Sequence, residues 1–103
     1  MRKPRKPDDK IHRLKVIVLN EVGLHARPAK NLVTELNKYR SEVYIEKDGY
    51  RVNAKSIIGV LTLAAVKGTE LLVSAEGDDA EEVLEVVDRM FRECLGESTQ
   101  VIK

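Results

Sequence analysis

The residues best suited to covalent chemistry lie together in the segment Gly23–Ala29, which reads Gly-Leu-His-Ala-Arg-Pro-Ala. Pro28 favours the first turn of a helix, because its missing N–H would have no partner there anyway. His25 therefore precedes a helix start, where the free N–H groups of Ala26 and Arg27 and the helix dipole favour an anion. A histidine nitrogen is a nucleophile, and the Arg27 guanidinium matches the geometry of phosphate oxygens. The segment thus has the parts needed to form and hold a phosphohistidine.

Spacing alone leaves a second interpretation open, in which His25 only caps the helix and Arg27 is solvated. The sequence lacks the residues that other kinds of site would need. The one other histidine is His12 and the single cysteine is Cys94, so neither a zinc site nor an internal disulfide is expected. The sequence contains no Gly-x-Ser-x-Gly elbow, Walker loop or dinucleotide fingerprint. We therefore expect no metal, no nucleotide pocket and no cofactor.

Ser56, like His25, is a polar residue that could have either a structural or a functional role. It precedes the apolar residues Ile57, Ile58 and Leu61, and its hydroxyl is suited to cap a short helix there. A phosphate on Ser56 would also be tolerated at a helix start. The apolar residues that follow fit either the core or an exposed patch for partners. Because this stretch is rich in β-branched residues, a strand remains an alternative to the helix.

These residues need a scaffold, and the hydrophobic pattern predicts the order β-α-β-β-α-β-α. Alternation at period two predicts strands at about residues 12–20 and at 71–75. Between them, an apolar stripe predicts a helix from Pro28 that fades near residues 39–41. A hairpin over residues 42–53 requires at least one antiparallel pair. The fold class is therefore α+β, with helices on one face of a sheet.

Two local signals fix the turns of this scaffold. Asp48-Gly49 predicts the two-residue turn of the hairpin. Asp79, with Glu82 three residues later, predicts a capping box before the last helix. The apolar stripe of that helix includes Cys94, which we expect to face the core, and Gly96 is a natural stop.

Composition limits the class of protein. The chain has 103 residues, 43% of them hydrophobic, with a net charge of +1, which excludes wholesale disorder. Residues 1–15 carry seven Lys or Arg against two Asp, whereas residues 16–103 carry eleven against fifteen acidic residues. Neither a membrane span nor the apolar core of a signal peptide is present. We expect a cytoplasmic protein with a basic leader.

The segments Gly23–Ala29 and Lys55–Leu61 resemble the active-site and regulatory-serine segments of HPr, the histidine-containing phosphocarrier family. His25 and Ser56 lie 31 residues apart, the separation that family shows. The turn Val66–Glu70 is also similar, and the likeness covers roughly residues 12–96. The resemblance implies an open-faced β-sandwich, in which three helices cover one face of a four-stranded antiparallel sheet.

The resemblance also implies a function. His25 would accept a phosphoryl group on Nδ1 from phosphorylated enzyme I, which phosphoenolpyruvate charges, and pass it to enzyme IIA domains of the phosphotransferase system. Arg27 and the backbone N–H groups of Ala26 and Arg27 would hold the phosphate. Ser56 matches the residue modified by HPr kinase/phosphorylase, whose product can bind a transcriptional regulator. Five residues match the partner-docking surface of the family: Leu24, Val33, Ile57, Ile58 and Leu61.

On this basis we expect a monomeric relay without turnover of its own. Its domain would span 12–96, after a basic extension (1–11) and before a short tail (97–103). Val22 departs from the family because it offers no polar side chain before Gly23. Two alternatives stay open: a nitrogen-branch or catabolite-repression member of the family, or a small nucleic-acid-binding module that uses the basic extension.

Overall fold

The computed structural model describes residues 11–97; the predicted extension up to residue 10 and the tail from residue 98 lie outside the described residues. Four strands and three helices follow in the predicted order: β1 (Ile11–Ile17), α1 (Ala26–Leu36), β2 (Glu42–Lys47), β3 (Tyr50–Asn53), α2 (Ile57–Thr62), β4 (Glu70–Glu76) and α3 (Ala80–Arg92). A short 3-10 turn, Cys94–Gly96, follows α3. Ile11 belongs to β1, one residue before the predicted domain boundary.

The strands form one antiparallel sheet in the order β1-β4-β2-β3. One row of facing residues crosses the whole sheet, and it consists of Leu14, Val73, Ile45 and Val52. These residues lie on the face that the helices cover, where Leu32 of α1, Val60 of α2 and Val87 of α3 are fully buried. The predicted open-faced sandwich and the α+β class are therefore confirmed.

The first helix begins two residues before the predicted Pro28 and ends before residues 39–41. α1 ends at Leu36, where Asn37 takes over as the C-cap and its side-chain amide donates to the Val33 carbonyl oxygen. α2 is a helix and not a strand, and it begins after Ser56 as expected. In the hairpin turn, Asp48 and Gly49 both adopt the positive φ that such a turn requires.

The predicted capping box at Asp79 is wrong. Asp79 is the N-cap residue of α3, but its carboxylate caps nothing on that helix. Instead it accepts the backbone N–H groups of Arg40 and Ser41, each at 2.9 Å, and the Ser41 hydroxyl. These bonds, the hydroxyl first, hold the pKa of the Asp79 carboxyl below its ordinary value. The carboxylate thus ties the α1–β2 connection to the start of α3.

The chain departs from the predicted last helix at its end. The helix stops at Arg92, and Cys94 and Leu95 adopt left-handed φ values of 58° and 56°. Leu95 is buried as predicted, whereas Cys94 is only partly buried, because the chain turns before the apolar stripe is complete. Among residues 11–97, no helix is long and apolar enough to cross a bilayer.

Candidate functional site

The loop between β1 and α1 is held by hydrogen bonds within the loop and by one to the α2–β4 connection. The buried Asn20 side chain donates to the Gly23 carbonyl oxygen at 2.7 Å, and the Gly23 N–H donates to the Asn20 carbonyl oxygen at 3.2 Å. The Leu24 N–H then donates to the carbonyl oxygen of Ala65, between α2 and β4, at 2.9 Å. β1 ends at Ile17, three residues before its predicted end, and this turn follows it. The loop therefore delivers His25 to α1 in a fixed position.

His25 is the N-cap residue of α1 by its backbone alone. Its φ and ψ are −88° and −170°, its carbonyl oxygen accepts the first helical bond from Ala29 at 2.9 Å, and its side chain makes no cap bond. His25 thus caps the helix, as the alternative interpretation has it, but through its backbone and without using the imidazole. The imidazole is exposed at a helix N-terminus. The helix itself leaves the N–H groups of Ala26 and Arg27 without partners, and Pro28 has none.

Arg27 extends from the first turn of α1 into solvent. Its side chain is 77% exposed, and its Nε lies 3.4 Å from Oε2 of Glu97. Arg27 is therefore solvent-exposed, as the alternative interpretation has it, and is also ion-paired with Glu97. The structure places His25 and Arg27 on one turn, where a guanidinium, two backbone N–H groups and an exposed imidazole share one end of the helix. An anion on the histidine would meet favourable charge there.

A hollow of about 430 Å³ lies beside His25. Its walls come from the β1–α1 loop, the start of α1, the end of α2 and the α2–β4 connection: Val22, Leu24, His25, Ala26, Leu61, Ala64, Ala65 and Val66. Most of these side chains are apolar, and Val22 and Val66 are largely exposed. His25 is thus bordered by an apolar surface and not enclosed in a polar pocket.

Ser56 caps α2 as predicted. Its hydroxyl oxygen accepts the Gly59 N–H at 3.0 Å, and its carbonyl oxygen accepts the Val60 N–H at 3.0 Å. The residue as a whole is half-buried. This cap accounts for the serine without any modification, and regulation at Ser56 stays a prediction.

The predicted partner-docking residues divide into two groups. Ile57, Ile58 and Leu61 are exposed, and Ile58 keeps 75% of its surface in solvent. Leu24 and Val33 are buried in the core, with 3% and 6% exposed. The expectation that these two present a surface is corrected, because side chains with so little accessible area contribute by packing beneath the site.

Sequence reasoning missed three residues of the site. Val22 was noted only for its lack of polarity and Val66 only as part of a turn, yet both border the hollow beside His25. Glu97 was assigned to the tail, yet its carboxylate meets Arg27. Nothing in the sequence distinguishes Glu97 from the other acidic residues as a partner of Arg27. Within the described part of the chain, no three His, Cys, Asp or Glu side chains converge as a metal site would require.

Comparison with known proteins places this geometry in a family. The family model described as "PTS HPr component phosphorylation site" matches residues 13–93. The HPr-like protein Crh of Bacillus subtilis is 51% identical over 71 residues, which cover 69% of this chain and 84% of Crh.

Solved structures of HPr and Crh proteins share this fold. HPr-C-His from Thermoanaerobacter tengcongensis superposes with a TM-score of 0.81 at 38% identity, over 84% of this chain and 98% of that one. Crystalline Crh of Bacillus subtilis, described as an intertwined dimer with a swapped domain, gives 0.67 at 44% identity, over 82% and 97%. The chain is thus more similar in sequence to this Crh and more similar in structure to this HPr.

Proposed function

This chain belongs to the HPr family of phosphocarrier proteins, and on that premise we propose that His25 relays phosphoryl groups. It accepts one on Nδ1 from phosphorylated enzyme I and passes it to enzyme IIA domains of the phosphotransferase system. The observation that carries the proposal is the exposed imidazole of a backbone-only N-cap residue. As the N–P bond to His25 forms, the bond to the donor atom of enzyme I breaks, and that atom keeps the electron pair.

The first turn of α1 supports the phosphorylated state. The N–H groups of Ala26 and Arg27 and the positive end of the helix dipole face the charge that the phosphoryl group brings. The Arg27 side chain, which is largely exposed, has the freedom to turn toward phosphate oxygens. Onward transfer reverses the bond changes, so His25 returns to its starting state and the chain acts as a stoichiometric carrier.

Enzyme I and enzyme IIA domains would dock on the apolar surface around His25. Ile57, Ile58 and Leu61 of α2 form one side of it, and the newly identified Val22 and Val66 form the other. An exposed apolar patch with a reactive group at its centre is suited to repeated, short-lived contacts. Because the donor and the acceptor use the same histidine, they would bind this surface in turn.

Ser56 supports a regulatory version of the same proposal. The likeness to Crh favours a catabolite-repression role, in which HPr kinase/phosphorylase modifies Ser56 and a transcriptional regulator binds the product. A phosphate on Ser56 would place negative charge at the edge of the docking surface, and it would repel acidic partner surfaces there. A nitrogen-branch role would instead appear as a preference for a different enzyme IIA domain.

We further propose that the chain works as a cytoplasmic monomer. β1 pairs with β4 of its own chain over seven residue pairs, and the TM-score is higher with HPr-C-His than with the swapped Crh dimer. Light scattering after size-exclusion chromatography would give the mass of one chain. The mass of two would favour an exchange like that described for Crh.

A charge-and-discharge assay tests the relay. The chain is first charged with enzyme I, Mg²⁺ and phosphoenolpyruvate, then purified and mixed with a sugar-specific or a nitrogen-branch enzyme IIA domain. Loss of the phosphoryl group to one of them identifies the branch. A charged chain that neither domain discharges within minutes, while a known HPr is discharged under the same conditions, would contradict the relay.

A further inference from the structure

The chain returns to the first turn of α1 after α3 has ended. Left-handed φ values at Cys94 and Leu95 reverse its direction. Leu95 is fully buried, and its carbonyl oxygen accepts the Asn31 side-chain amide of α1 at 2.8 Å. Two residues later, this anchor brings Glu97 to the N-terminal end of α1, beside Arg27.

The Glu97 carboxylate is the fixed partner of this pair. Its side chain is 18% exposed and that of Arg27 is 77% exposed. Oε2 of Glu97 is buried, and within residues 11–97 it accepts no hydrogen bond, because Nε of Arg27 at 3.4 Å lies outside hydrogen-bond geometry. A buried carboxylate oxygen without a hydrogen bond is costly, and backbone anchoring holds it there.

We propose that Glu97 competes with the phosphoryl group of His25 for Arg27, and that it thereby weakens the phosphohistidine and favours onward transfer. The inference rests on the proposed function of His25. Both anions lie at the same helix end, and both are suited to the same guanidinium. When the phosphoryl group arrives, the Arg27 guanidinium must divide its interactions between the phosphate and the Glu97 carboxylate. In the unphosphorylated protein, Arg27 pairs with Glu97 and has no phosphate to bind.

The first measurement is the equilibrium between phosphorylated and unphosphorylated chain at fixed phosphoenolpyruvate, pyruvate and enzyme I. Glu97→Gln keeps the size of the side chain and removes its charge. We expect the phosphorylated-to-free ratio to rise about two- to fivefold, the fold-change that a weak ion pair near a helix terminus corresponds to. Hydrolysis of the phosphohistidine at neutral pH should slow in the same variant. Glu93→Gln removes the same charge from an exposed position four residues earlier and should change the ratio less than about twofold.

A double-mutant cycle separates competition for Arg27 from a general charge effect. In the Arg27→Ala background, Glu97→Gln should change the ratio by less than about twofold. An unchanged or lower ratio in the single variant Glu97→Gln would overturn the proposal, since a carboxylate that only pins the chain end would not oppose phosphorylation.

The same variants keep the two proposals distinguishable. If the wild-type chain accepts no phosphoryl group, the proposed function fails and this equilibrium cannot be measured. Titration with inorganic phosphate, followed through the amide signals of Ala26 and Arg27, then tests the competition directly. Glu97→Gln should bind phosphate about two- to fivefold more tightly than Glu93→Gln. Equal affinities would overturn the inference.

Discussion

Gly23 and Ala65 approach so closely that a Cβ atom on Gly23 would clash with the Ala65 carbonyl oxygen. The same oxygen accepts the N–H of Leu24, the residue that precedes His25. The contact joins the β1–α1 loop to the α2–β4 connection, and both segments line the hollow beside the histidine. The position of the proposed phosphoryl acceptor therefore depends on a residue without a side chain.

Gly23→Ala should destabilise the protein by about 3 kcal/mol, because it combines a φ of +72° with a clash against backbone. Urea denaturation measures the loss. Gly68→Ala is the matched control, since Gly68 has a φ of +92° and open space around its Cα, and it should cost only about 1 kcal/mol. If the two variants lost the same amount of stability, the close approach to Ala65 would not contribute to it.

Asp79 should make stability sensitive to acid. Its pKa is lowered by the Ser41 hydroxyl and by the backbone N–H groups of Arg40 and Ser41, so the ionised form is favoured in the folded protein. Its stabilising effect is complete above the unfolded pKa of about 4 and is lost as the pH falls through the lowered pKa.

We expect Asp79→Asn to cost about 1–2 kcal/mol at pH 7 and to flatten the decline of stability below pH 4. Urea denaturation at pH 7 and pH 3 checks both, with Glu85→Gln as the exposed control on α3. If Asp79→Asn lost stability on acidification as steeply as the wild type, the carboxylate would not be the responsible group.

Substitutions at Ser56 should separate capping from regulation. Ser56→Ala removes the acceptor of the Gly59 N–H and should lower stability by about 1 kcal/mol without slowing transfer to His25. Ser56→Asp retains an N-cap oxygen and adds charge, so it should keep its stability and slow transfer from enzyme I. Thermal unfolding and the rate of phosphorylation measure the two effects. Unchanged transfer in Ser56→Asp would contradict a regulatory role.

Local sequence patterns predicted most of the fold and, at the site, the positions of His25 and Ser56. Alternation, the Asp48-Gly49 turn and the Ser56 cap depend on residues close in sequence, so the sequence alone contains enough information to place them. The position of His25 before a helix also follows from its neighbours, Pro28 above all. These are the features that the structure confirms.

The errors at Asp79, at Leu24 and Val33, and at Glu97 involve contacts between distant parts of the chain. Asp79 had the spacing of a cap, but the N–H groups of Arg40 and Ser41 lie nearer to its carboxylate once α1 and α3 pack together. Leu24 and Val33 are apolar near the site, and only packing decides that they face inward. Glu97 reaches Arg27 through a left-handed turn that helix propensity does not predict.

The central claim is that His25 carries the phosphoryl group, and intact-mass spectrometry at neutral to alkaline pH tests it most directly. After incubation with enzyme I, Mg²⁺ and phosphoenolpyruvate, the wild type should gain one acid-labile phosphoryl group and His25→Ala none. Arg27→Ala should gain it more slowly. Because the His25 ring is exposed and makes no cap bond, the free energy of unfolding of His25→Ala should lie within about 0.5 kcal/mol of the wild-type value.

An adduct in folded His25→Ala, or no adduct on the wild type with an enzyme I that phosphorylates a known HPr, would contradict the account.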